Sequence, residues 1–232
     1  MTSFEVEPPD RRTARMAGVL YLLIILCGIT AEVVIRSALV VQGDPMTSME
    51  SIQNSTGFFY LGFVLDVVML LCDVAIAVLF YHLLKHVSKM LAVLAAAFRL
   101  TQAAVLGANL LNLYAPMLLL SYAAFDVFGA EQVANLMSLF LQMHSYGYDL
   151  GLMFFAASNL VLGYLLIRSE FFPSAFGYLV QAAAVVYLVG SLLHFLWPAA
   201  LAMIQPAYIV PLVAELAFCL YLLIRGLKTH VH

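Results

Sequence analysis

Six stretches of this chain are long and apolar enough to cross a bilayer, and that excludes most folds at once. A helical span needs about 20 mainly apolar residues. Met16–Val40, Gly57–Leu84, Lys89–Leu120, His144–Ile167, Pro173–Trp197 and Pro206–Leu227 meet that need. The chain is 65% hydrophobic and 10% charged over 232 residues. A soluble domain is about one quarter charged, and a globule of this size cannot hide so much apolar surface. The fold class is therefore all-α: a polytopic membrane protein with six transmembrane helices.

Orientation follows from the basic residues. Of the 10 lysines and arginines, Arg36 and Arg99 fall inside spans. Arg11, Arg12, Arg15, Lys85, Lys89, Arg168, Arg225 and Lys228 all fall on one side, while loops 41–56, 121–131 and 198–205 have none. The positive-inside rule makes that side cytoplasmic, with both termini in the cytoplasm. The chain then divides into a cytoplasmic arm over residues 1–15, one six-helix transmembrane domain over 16–228 and a cytoplasmic tail over 229–232. The arginines before the first apolar run resemble the start of a signal peptide. That run is too long and no small-residue cleavage site follows, so it reads as an anchor.

Aromatic residues mark the two interfaces. Phe58, Phe59, Tyr60, Tyr114, Tyr122, Trp197 and Tyr208 sit at outer ends; Tyr81, Tyr164, Phe171, Phe172 and Tyr221 sit at inner ends. Asp44-Pro45 reads as an N-cap followed by a first-turn proline, predicting a short helix from Pro45 to Gln53. Glu131–Met143 continues the helical pattern into the fourth span. The joined helix of about 38 residues is roughly 57 Å long, so it projects outward or bends near Gly147. Ala103 and Gly107 form a small-xxx-small pair that predicts close packing of the third span.

The informative residues are charges where lipid should be. The spans hold Glu32, Asp66, Asp73, Asp149 and Glu215, with Arg36 and Arg99. Each costs about 2.5–3.5 kcal/mol at mid-helix, so they must face the interior or water and find partners. Glu32 and Arg36 are spaced i,i+4 and pair on one helix face. Asp73 and Arg99 lie equally deep, roughly 15 Å from the cytoplasmic end, and form a structural ion pair. Glu32, Asp66 and Glu215 share a level about 13 Å below the outer end. Arg99, Gln102, Asn109 and Asn112 fall within about 140° of the third helix. Pro116 and Pro211 free the carbonyls of Asn112 and Ala207 in the outer half. Broken backbone at depth is tolerated at a cavity wall or inside protein, which points to an outward-facing acidic cavity. Five acids against two cations leave three carboxylates to be protonated, hydrated, paired with histidine or bound to a cation. Ligand-binding candidates are Glu32, Arg36, Asp66, Asn109, Asn112, His144, Tyr148, Asp149 and Glu215.

Other chemistry finds little support. Net charge is −3 with no basic block beyond the N-terminal arm, which speaks against nucleic acid. Cys27, Cys72 and Cys219 lie in apolar runs without paired spacing and read as small buried hydrophobes. His82 and His86 are spaced as in a metal box, but six histidines are too few for a di-iron site; they read as surface residues. No metal site is assigned, with His144, Asp149 and Glu215 the weak candidates. Haem between His144 and His194 rests on two lone histidines. Tyr148-Asp149 matches half of an intramembrane aspartyl protease signature whose other half is missing. No pattern names a cofactor.

Several segments, taken together, carry a family resemblance. Arg15-Met16-Ala17-Gly18 enters the first span, and Glu32 with Arg36-Ser37 closes it. Asp66, Asp73, Ala97-Phe98-Arg99-Leu100, Gln102 and Asn109-Leu110-Leu111-Asn112 follow. Then come His144-Ser145-Tyr146-Gly147-Tyr148-Asp149-Leu150-Gly151, Leu162-Gly163-Tyr164, and Pro211 with Glu215. From about Arg12 to Lys228 the chain resembles the bacterial membrane family catalogued as domain of unknown function 4386. The resemblance implies a six-helix protein of the bacterial inner membrane and assigns no activity. Three readings stay open. The first is binding or transport of a cation, proton or small cationic solute. The second is a membrane enzyme, metal-dependent or not, acting on a lipid or polyprenyl substrate. The third is a structural or partner-binding protein with a satisfied polar core. Binding or transport ranks ahead of enzyme.

Overall fold

The computed structural model describes residues 10–121 and 127–228. Tyr122, the first nine residues of the arm and the tail over 229–232 lie outside the described residues. Six helices are long and apolar enough to cross a membrane: α1 (Arg11–Leu39), α3 (Thr56–Leu84), α4 (Lys89–Ser121), α5 (Ala130–Arg168), α6 (Ser174–Leu196) and α7 (Pro198–Ile224). Between α1 and α3 lies the short α2 (Pro45–Asn54), whose N-cap Asp44 accepts from the Thr47 backbone N–H at 3.0 Å. Among the described residues there is no strand.

The spans close a ring. Each packs on its neighbour in the order α1, α3, α4, α5, α6, α7, and α7 returns to α1. Large apolar side chains point both inward and outward, since Val19, Leu26, Val33, Leu71, Val78 and Leu111 are exposed. An outward apolar face is what contact with lipid requires. At one end the first helix meets the end of α7, where the Arg15 guanidinium donates to Ile224 O at 3.5 Å, and Lys228 N donates to Phe171 O at 2.9 Å. His86 Nε2 lies 3.2 Å from Ser169 Oγ at the same end. This is the basic end; the end carrying α2 is called distal.

Two apolar cores stack along the bundle. The basic-end core includes Tyr21, Phe80, Leu84, Leu165 and Phe218; the distal core includes Ile35, Ile52, Met69, Leu106 and Met137. Asp73, Arg99 and Gln102 form a polar layer between them. Arg99 Nη2 is 2.6 Å from Asp73 Oδ1, and Gln102 Nε2 donates to Asp73 Oδ2 at 3.2 Å. The guanidinium also lies 4.9 Å from the Phe155 ring centroid and 5.8 Å from that of Tyr21. These faces offer quadrupole attraction to a cation that is 2% exposed.

The long fourth helix takes one of its two expected forms, and the site of close packing changes. The fourth span and its extension form one continuous helix of 39 residues, helical through Gly147. Its distal part projects and buries Ala134 and Met137 with Met49 and Ile52 of α2. Gly147 is small for a different reason: a Cβ there would lie 2.1 Å from Asn109 Oδ1. The tight helix crossing is also not at Gly107, which is exposed and has only Leu70 within ordinary contact. It lies where Gly163 of α5 meets Gly177 of α6. A Cβ on either would come within 2.6 Å of the other's carbonyl oxygen.

Candidate functional site

A distal cavity of about 670 Å³ opens between α1, α2, α5 and α6. Its wall is made where α1 leaves regular α-helix. Thr30–Arg36 is a seven-residue π-helical segment, with Ser37 N–H donating to Glu32 O. Such widened turns are rare and recur at functional sites. Here the segment carries both Glu32 and Arg36. Arg36 Nε donates to Glu32 Oε2 at 2.7 Å, and its Nη1 donates to Asp66 Oδ2 at 2.5 Å. One guanidinium thus bridges two carboxylates of opposite exposure. The Glu32 side chain is 63% exposed, that of Asp66 only 3%.

The facing wall belongs to α5 and α6. Asp149 of α5 accepts from Ser191 Oγ of α6 at 2.9 Å and pairs with His194 Nδ1. The His194 ring stacks on Tyr146 at 4.3 Å between centroids. With Nδ1 facing the carboxylate, His194 keeps Nε2 as its second polar atom. Ser37, Ser48, Ser138 and Gln142 add neutral polar groups to the lining.

His144 lines the same cavity but is tied to α4 behind it. Asn109 Nδ2 donates to the His144 backbone oxygen at 2.8 Å and lies 3.1 Å from His144 Nδ1. His144 Nδ1 also lies 3.4 Å from the Asn109 backbone oxygen, so it meets a donor and an acceptor of the same residue. Its Nε2 has no hydrogen-bond partner among the described residues. Asn112 Nδ2 donates to Asn109 Oδ1 at 3.0 Å and holds the amide in place.

Of the residues singled out from sequence, the structure brings Glu32, Arg36, His144, Tyr148 and Asp149 to one cavity. Asp66 lies behind Arg36; Asn109 and Asn112 lie behind His144. Glu215 stands apart, with Oε1 accepting from the Tyr187 hydroxyl at 3.0 Å. The charges near enough to act on it are Arg99 and Asp73. Equal depth therefore did not mean proximity. Glu32 and Asp66 meet at Arg36, and Glu215 faces another sector of the ring. His144, Asp149 and Glu215 each engage different partners, and no group of three or more His, Cys, Asp or Glu side chains converges among the described residues. The irregular backbone at the cavity is the π-segment, not the turns preceding Pro116 or Pro211. Pro116 is accommodated inside a continuous α4. Sequence reasoning left His194, Tyr146 and Ser191 out of the site. Asp149 with His194 near the distal end of the next span was the available signal, since a buried acid needs a partner.

Two further polar groups lie away from the distal cavity. Arg99 Nη1 has no hydrogen-bond partner, and Arg99 lines a second cavity of about 10 Å³ with Ser158. That is room for about one water. At the basic end His86 packs edge-on against Phe171, and burial pushes its imidazole below the usual 6.5.

The family model Domain of unknown function (DUF4386) matches residues 16–226, which takes in both walls of the cavity and all six spans apart from the first five residues of α1. The chain belongs to this family. No curated protein and no solved structure matches it. Membership of DUF4386 fixes no activity, so function rests on the geometry above.

Proposed function

We propose that this DUF4386 protein binds a small organic cation in the distal cavity. The observation that carries the reading is the charge balance there. Glu32 and buried Asp66 share the one guanidinium of Arg36, so with Asp149 three carboxylates stand against a single fixed cation. His194, when protonated, is the further offset on the lining beside Asp149. A cleft lined with an excess of one sign of charge attracts the opposite ion more strongly than a flat surface does. Tyr146 and Tyr148 supply aromatic faces suited to an onium group. The cavity volume lies within the roughly 300–1,000 Å³ of small-molecule sites. On the positive-inside reading the cavity faces away from the cytoplasm of a bacterial inner membrane. The apolar cores and the Arg99–Asp73 layer beneath it separate the cavity from the basic end.

The test is calorimetric titration of the purified protein with choline and with its uncharged carbon isostere, 3,3-dimethylbutan-1-ol. The cation is expected to bind and the isostere not. Glu32→Gln removes a charged contact of about 1.5–3 kcal/mol, a loss of about 10–150-fold in affinity. Equal binding of choline and its isostere would reject the reading. Flux of choline into proteoliposomes then separates transport from binding.

One observation favours a second reading. Asp149, braced by Ser191, orients His194 as a carboxylate orients a general base. On that reading the cavity admits a lipid or polyprenyl headgroup and His194 Nε2 takes its proton. His194→Asn would abolish headgroup turnover there; absence of turnover in the wild-type protein across headgroup classes sinks it.

A further inference from the structure

Glu215 is bound unlike the other carboxylates of the spans. Glu32 and Asp66 share Arg36, Asp73 has Arg99, and Asp149 has His194. Among the described residues Glu215 has no cationic partner; its one hydrogen bond is from the Tyr187 phenol. It is the single charged residue in Ile209–Ile224, and Pro211, Ala214, Phe218 and Cys219 are buried along the same stripe of α7. The titratable groups facing it are Tyr187 of α6 and Tyr21 of α1. Beyond them lie Asp73 of α3 and Arg99 of α4, a pair whose charges offset each other.

A carboxyl group in that setting persists as a bare ion, as half of an ion pair, or as a neutral acid. The bare ion pays full desolvation in a membrane interior. The ion pair is absent among the described residues. A neutral acid needs only what is present: a hydroxyl partner and an apolar surround. We infer that Glu215 is a proton-binding site within the membrane, holding a proton at neutral pH and able to release it with Tyr187 as its hydrogen-bond partner. Glu32, Asp66, Asp73 and Asp149 are committed to Arg36, Arg99 and His194. Of these five carboxylates, Glu215 is thus the one that can change charge without breaking an ion pair. The inference does not rest on the cation reading of the cavity.

The experiment uses the full chain in mild detergent and N,N′-dicyclohexylcarbodiimide, an apolar reagent for protonated carboxyl groups. The acid proton moves to one carbodiimide nitrogen while the carboxyl oxygen bonds to the central carbon. Acyl transfer from oxygen to nitrogen then leaves a stable N-acylurea, with nothing oxidised and no leaving group. Peptide mass spectrometry reads the adduct. The expected result is modification at Glu215, about tenfold or more slower at about pH 10 than at about pH 6. Tyr187→Phe removes a donor that favours the charged form, so its adduct should persist to higher pH than in wild type. Glu215→Gln should give no adduct. If that variant fails to fold, the wild-type peptide map and Tyr187→Phe still decide. No adduct at Glu215, a rate that does not vary with pH, or equal labelling of Asp66, Asp73 and Glu32 would overturn the inference. An unchanged pH profile in Tyr187→Phe would overturn the role of the phenol.

Discussion

Replacing Arg36 by glutamine separates what the guanidinium does for its two carboxylates. Asp66 is 2% exposed and takes the 2.5 Å contact, whereas the Glu32 side chain is 63% exposed. Removing one partner of a buried pair strands the other charge, at a cost of about 3–5 kcal/mol. An exposed pair is worth about 0–1 kcal/mol. Arg36→Gln should therefore destabilise by about 3–5 kcal/mol, nearly all through Asp66. A double-mutant cycle divides the cost. Coupling between positions 36 and 66 should exceed about 1.5 kcal/mol, and coupling between 36 and 32 should stay under about 0.5 kcal/mol. Arg36→Met with Asp66→Leu should regain most of the loss, because an apolar pair has no charge to strand. The assay is reversible unfolding in mixed micelles of a mild detergent and dodecyl sulfate, followed by helicity. Equal coupling to Glu32 and Asp66 would refute the reasoning. So would an Arg36→Gln loss below about 1 kcal/mol, since that is the worth of an exposed pair.

Gly177→Ala places a methyl group 2.5 Å from Gly163 O, and overpacking of that kind costs about 1–3 kcal/mol in the same unfolding assay. Gly107→Ala, with only an ordinary contact at 3.9 Å, should be nearly neutral; the reverse order would reverse the assignment of the tight crossing. His86 is neutral and partly buried, with its imidazole pushed below 6.5 in the folded state. The unfolded chain then binds more protons just below about pH 6.5, so stability should fall as pH drops through that value. The fall should be smaller in His86→Asn, and identical pH profiles for the two proteins would contradict the assignment.

The spans were legible because their signal is crude and repeated: twenty apolar residues and a backbone that must satisfy itself in lipid. Asp44-Pro45 announced α2 through local capping chemistry that needs no tertiary contact. Depth along each helix also paired Asp73 with Arg99 as an arithmetic estimate. What sequence spacing could not supply was azimuth. Glu32, Asp66 and Glu215 share a level, but the order of helices around the ring sets which of them meet. Nor does any short pattern in Thr30–Arg36 announce a π-segment. The same segment carries Arg36, which reaches back to Glu32 and across to Asp66, and the second contact is invisible along one helix. The glycines show the same limit. Gly107 looked like a packing residue, and Gly147 marked where the long helix would bend if it did not project, yet their roles depend on which side chain arrives from the next helix.

Helix α5 is a brace. It runs unbroken from Ala130 to Arg168 and is gripped at several levels. Gly163 meets Gly177 of α6, Asp149 holds Ser191 and His194 of α6, and Asn109 of α4 holds His144. Beyond those grips its projecting end carries α2 by an apolar face. From Ala130 to Gly163 is about 50 Å at 1.5 Å per residue. One rigid rod thus ties the wall of the cavity, its α2 rim and the tight crossing near the basic end to a single element, and a substitution at any of them is felt by the same helix.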